Sequence, residues 1–176
     1  MLERRADSYC SQTSQQKDRE HVMRVNFYNT ILSEDDRTIL IKEKGVNYGA
    51  EKVTNPRDIV HMMKELVYMD KFAEEHCYMV ALNSACKMTG IFFISKGTVN
   101  ESLLSAREIY MRALLIGAVM IVLCHNHPSR NAQPTSTDIE TTAKLKKAGE
   151  ILGIHLADHI IITDNDYYSF EENKLL

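Results

Sequence analysis

The sequence predicts a mixed α/β protein, either α/β or α+β, with helices packed on a sheet. Three observations carry this expectation. Strand-type and helix-type segments take turns from Asn55 onward. AVMIVLC over residues 118–124 is a continuous apolar run, the pattern of a strand buried on both faces. The helical segments carry their own start signals, the clearest being Asn55-Pro56 as N-cap and first helical residue.

The elements follow in order. Residues 1–22 are polar, rich in Ser and Gln, and read as a mobile tail. Residues 23–53 contain two β-type runs on either side of SEDD, an extended arm or a hairpin. The principal domain is expected over 54–176. It opens with a helix whose Ile59, Met62, Met63, Leu66 and Val67 recur at helical spacing. EEHCYMVALNS (74–84) and GIFFISKGTV (90–99) read as neighbouring strands joined by a short turn. SAREIYMRALLIG (105–117) reads as a helix stopped by Gly117. The apolar run 118–124 then leads into His125. A further helix presents Ile139, Thr142, Leu145, Ala148 and Leu152 on one face and ends near Gly153. HLADHIIITD (155–164) is a strand, and YYSFEENKLL reads as an acidic closing tail.

Composition narrows the function. With 176 residues, 44% hydrophobic and 26% charged, the chain can bury a substantial core. A net charge of −3 and a pI of about 6.2 give no overall electrostatic support for direct nucleic-acid binding. No apolar run is long enough for a membrane span, and the N-terminus lacks a signal-type stretch, so the expected location is cytoplasmic. Cys10, Cys77, Cys86 and Cys124 form no CxxC pair and read as reduced thiols.

The chemistry concentrates in CHNHPSRNAQPTSTD (124–138). His125 and His127 stand at i and i+2 at a strand end, so both imidazoles project to one side. Asp138, in the first turn of the following helix, can return to give a third ligand and leave an open position, as in a catalytic zinc site. The alternative is structural, because Thr135-x-x-Asp138 also reads as a capping-box variant. Glu74 and Glu75 are the nearest candidate bases, and in a strand only one of them can face the site. Asp158 and His159 read either as a second acid–base pair or as hydrogen-bonding support behind the ligands.

HNHP, six residues, a hydroxyl residue, two residues and Asp resemble the JAMM (MPN+) signature. The phrases EEHCYMVALN, KGTV, AREIYMRAL, LADHIIIT and YYSF are similar to the RadC-like JAB-domain family, from about Thr54 to Phe170. The resemblance implies an MPN/JAB fold, a curved mixed β-sheet flanked by helices, within the wider cytidine-deaminase-like group. It implies one Zn2+ per chain held by His125, His127 and Asp138, with Glu75 as the base and Thr135 supporting an oxyanion. The implied activity is a zinc-dependent hydrolase that cleaves a peptide or isopeptide bond in a protein or peptide substrate. The other reading is a zinc-containing binding or scaffold module with a DNA-repair association and no proteolysis. A deaminase is disfavoured, since the H-x-E…P-C-x-x-C pattern is missing.

Several positions depart from the family pattern. Thr135 stands where Ser is usual, and Cys77 where Phe is common. Arg130 replaces a loop glycine, and is expected either to obstruct entry or to pair with an acidic group. The helix-hairpin-helix module of longer relatives is not recognisable in residues 1–54.

Overall fold

A computed structural model describes residues 22–49, 53–97 and 104–176. The tail expected over 1–22, apart from Val22, lies outside the described residues, as do Cys10 and the Thr98–Val99 end of the KGTV turn. Within the described residues the chain runs β1 (Met23–Leu32), β2 (Thr38–Tyr48), α1 (Pro56–Val67), β3 (His76–Leu82) and β4 (Met88–Lys96). It continues through α2 (Ala106–Leu115), β5 (Met120–Asn126), α3 (Ser136–Leu152), β6 (His155–Ile162) and β7 (Tyr167–Ser169). The strands form one mixed sheet in the order β2-β1-β4-β3-β5-β6-β7. No helix among the described residues is long and apolar enough to cross a membrane.

The segment around SEDD is a hairpin. Ser33 N–H donates to Arg37 O at 2.8 Å, and Asp36 takes φ 58°, a left-handed conformation that Asp tolerates better than most residues. The hairpin joins the sheet through a short parallel pairing of Phe27 and Tyr28 with Ile91 and Phe92. Gly90 makes this join possible, because a Cβ there would lie 2.7 Å from the Tyr28 ring. Tyr28 instead stacks on Phe92, with centroids 5.8 Å apart.

α1 starts as its sequence dictates, with the Asn55 side chain accepting from Asp58 N–H at 3.0 Å and Pro56 in the first turn. It packs Ile59, Met62 and Met63 on one face of the sheet, with Val80, Val122 and Ile160. The other face carries α2 and α3, with Ile109, Tyr110 and Leu145 over Met79, Ile121 and Leu123. β5 alternates between these two cores and is buried on both, as its unbroken apolar run requires.

Three expectations are corrected. The closing segment is not simply a tail, because Tyr167–Ser169 pairs antiparallel with β6 as a short edge strand. β3 begins at His76, so Glu74 and Glu75 precede the strand and strand alternation does not fix their directions. On α3, Ile139 and Leu152 are exposed, and the buried positions are Thr142, Leu145 and Gly149. Near the C-terminal end of α3, Gly149 lets Tyr110 of α2 and the turn at Ile154 approach closely. A Cβ at Gly149 would lie 2.3 Å from Ile154 O and 2.5 Å from the Tyr110 hydroxyl, which itself donates to Leu145 O at 2.7 Å.

Gly149→Ala should therefore destabilise the protein by about 3 kcal/mol, although the same change in an open helix would stabilise by about 1 kcal/mol. The midpoint of urea denaturation reads the sign directly.

Candidate metal centre

β5 ends at Asn126, and the chain crosses to α3 through the loop 127–135. His125 closes the strand on the α3 face, and His127 follows it out of the sheet, anchored by its N–H to Ile162 O at 3.2 Å. The two Nε2 atoms stand 3.0 Å apart. Asp138 Oδ1 lies 3.4 Å from His125 Nε2, and Oδ2 lies 3.5 Å from His127 Nε2. Their ligand atoms all fall within 4.8 Å of one another.

Asp138 is both cap and site residue. Its Oδ2 accepts from Thr135 N–H at 2.8 Å and from the Thr135 hydroxyl at 2.6 Å, while Thr135 Oγ1 accepts from Asp138 N–H at 3.2 Å. This is a complete capping box. It holds the carboxylate rigidly, with Oδ1 left to face His125. The two readings of this aspartate from sequence are thus compatible. Thr135 spends its proton on Asp138, so the oxyanion role expected of it requires that bond to be given up.

The hydrogen-bond partners dictate the imidazole tautomers. Thr142 Oγ1 lies 2.6 Å from Asp138 O, which can only accept, so the hydroxyl proton points there. The same oxygen lies 2.6 Å from His159 Nδ1 and must accept from it. His159 Nε2 is then an acceptor, and His125 Nδ1–H donates to it at 2.8 Å. This leaves a lone pair on His125 Nε2. His127 Nδ1–H donates to Asn131 O at 2.8 Å, which leaves a lone pair on its Nε2 as well. Two acceptor nitrogens and a carboxylate oxygen thus converge with no donor among them. Such a set fits a cation, and two nitrogens with one oxygen suit zinc among the common divalent ions.

The charges agree. Burial raises the proton affinity of Asp138, but His127, His125 and the Thr135 bonds outweigh it and hold the carboxyl well below the usual carboxylate range. Burial together with the neighbouring His159 pushes His125 well down. Burial also opposes protonation of His127, but Asp138 and the Asn131 carbonyl win and raise its pKa. His159, fully buried against Phe170, is depressed by burial to about 4.

Of the two glutamates, Glu74 is drawn aside by Lys96, Nζ to Oε2 2.6 Å. Glu75 is half-buried and lies within the electrostatic reach of His127 and Asp138. Burial, aided by Asp138 and opposed by His127, raises its carboxyl. Cys77, paired with His125 across the strands, is fully buried, and its thiol is pushed up by burial. It fills space beside His125 as an inert thiol. Arg130 takes φ 63°, the left-handed conformation glycine favours, and its Nε lies 3.5 Å from Asp164 Oδ2. It pairs with an acidic group, as one of the two expectations had it. Asp158 and His159 do not form an acid–base pair. The Asp158 carboxylate accepts from the Ser169 hydroxyl at 2.6 Å and from Glu171 N–H at 3.0 Å, while His159 points to the opposite face, behind His125. Sequence reasoning missed the roles of Thr142, whose second partner His159 lies on β6, and of Asn126, whose partners all lie ahead of or at the start of β3.

This geometry, on a mixed sheet flanked by helices, defines a JAB-type domain. The family model for the RadC-like JAB domain matches residues 53–175, and the chain belongs to that family. A UPF0758 protein of Desulfitobacterium hafniense is 41% identical over 125 residues, covering 70% of this chain and 54% of the relative. UPF0758 proteins of Caldanaerobacter subterraneus and Clostridium acetobutylicum are 38% and 35% identical, covering 77% and 74% of this chain and 59% and 56% of their own lengths. The chain thus spans a little over half the length of these curated relatives.

Thr142→Val keeps the shape of Thr142 but removes the acceptor that fixes the His159 tautomer. Metal affinity should fall about 10- to 100-fold, as read by competition with a chelator. The metal-free protein should also lose stability in acid. Unfolded His159 takes up its proton near pH ~6.5, whereas the folded residue resists until about pH 4. Between these values the unfolded chain binds more protons, so stability falls as the pH drops, by on the order of 3 kcal/mol for this residue. His125 adds to the slope and His127 opposes it. Calorimetric melts from neutral pH downward should show a shallower loss in His159→Gln.

Proposed function

We propose that the protein is a zinc-dependent hydrolase of the JAMM type, cleaving a peptide or isopeptide bond in a protein or peptide substrate. The observation that carries this reading is the convergence of three acceptor ligands beside a carboxyl group whose proton affinity is raised. His125, His127 and Asp138 would hold the ion. Bound there, zinc supplies Lewis acidity, which makes a water acidic near neutral pH and polarises a carbonyl.

The residues of the chain do the rest. Burial holds the Glu75 carboxyl above its ordinary range, which suits it to take a proton from the attacking water and hand it to the leaving amine. His159 and Thr142 keep the His125 lone pair directed inward throughout. Thr135, by exchanging Asp138 for substrate, would donate to the developing oxyanion. Its β-branch restricts that rotation more than serine would.

The purified chain, loaded with zinc, should bind one ion per molecule as wild type and as Glu75→Gln, and none as His127→Ala. Screened against peptide and isopeptide libraries, Glu75→Gln should cleave about 10²- to 10⁴-fold more slowly than wild type. Cleavage that ignores Glu75, or its absence from a zinc-loaded wild type, would remove the hydrolase reading and favour a metal-containing binding module.

A further inference from the structure

Asn126, between the two histidines, is almost fully buried, and its side chain points away from the metal side of β5. Its carboxamide reaches across to the chain ahead of β3. Oδ1 accepts from His76 N–H at 2.8 Å, and Nδ2 donates to Glu74 O at 3.1 Å and, more weakly, to Phe72 O at 3.5 Å. The orientation of the amide is unambiguous, because one partner can only donate and the others only accept. Glu74 and His76 are the residues on either side of Glu75. One side chain of the ligand strand thus grips the peptide groups that flank the glutamate, just before β3 takes up its regular ladder.

We infer that Asn126 is the positioning residue for Glu75, setting the distance of its carboxylate from the histidine ligands. On the β5 side no backbone pairing reaches this segment, since the β3–β5 ladder begins only at Cys77 with His125. Glu75 contributes its own backbone contact on the other side, where its carbonyl accepts from Gly97 N–H at 2.8 Å. The segment is therefore clamped from β5 and from the end of β4. That the clamped group serves as a base rests on the hydrolase reading, but its placement does not.

The test uses the full chain loaded with cobalt(II), whose paramagnetism reports distance. In wild type, cobalt should strongly relax the Glu75 carboxyl carbon. In Asn126→Ala that relaxation should fall at least about twofold, while the Asn131 and Thr135 amides beside the ligands keep theirs. The His76 amide, losing its acceptor, should exchange with solvent about tenfold faster. Asn126→Asp is nearly isosteric. It keeps the acceptor for His76 and loses the donor to Glu74, so Glu75 relaxation should fall while His76 exchange stays near wild type. It also serves if the alanine variant does not fold. Glu75 relaxation unchanged in these variants would overturn the assignment. Should Glu75 move as expected in a protein that cleaves nothing, the positioning role stands and the hydrolase reading falls.

Discussion

Two imidazole nitrogens whose neutral tautomers leave bare lone pairs, held 3.0 Å apart beside an ionised carboxylate, repel one another unless a proton or a metal ion lies among them. Every surrounding element works to maintain that arrangement. The β5–β6 pairing sets His159 behind His125. α3, packed on β6, brings Thr142 to His159. The loop carbonyl of Asn131 fixes His127. A chain of protons from the Asp138 carbonyl to His125 leaves each outward nitrogen bare. Buried polar groups are costly unless satisfied, and here all but the converging lone pairs have partners.

Asp138 links folding to chemistry. The oxygen engaged by Thr135 starts α3 and also lies near His127, and the other faces His125. A helix N-terminus favours negative charge, so the cap also keeps the carboxylate ionised where a positive ion would sit. This economy limits Thr135, whose hydroxyl is already engaged. Arg130 shows a different compromise, a left-handed backbone normally given to glycine, offset only slightly by an exposed pair with Asp164.

Much of this was legible in the sequence, because local rules dominate there. Asn55-Pro56 started α1 as its chemistry requires, and the unbroken run before His125 proved to be the strand buried on both faces. Spacing put His125, His127 and Asp138 forward together, with a helix cap as the other reading of Asp138, and the resemblance to the JAMM signature made them the expected ligand set. What escaped was decided by distant contacts. Asn126 reads as filler between two histidines, since its partners lie 50 residues or more away. Thr142 reads as one more position on the α3 stripe, and only the approach of β6 gives its hydroxyl a role. Ile139 and Leu152 matched the periodicity of that stripe yet lie beyond the length of helix that the sheet covers. The short β7 lacked the length to stand out from a tail.

The strand order has a further consequence, for the sequence of events as the chain folds. The three candidate ligands come from one stretch, His125 to Asp138, that closes on itself through a single loop and helix start. Glu75 comes from far upstream and arrives only when β3 is inserted between β4 and β5. Local contacts form more readily than those that close long loops. The stretch from His125 to Asp138 can thus draw together before Glu75 is in place. Insertion of β3 between β4 and β5 is then the step that brings Glu75 to the His125–His127–Asp138 group.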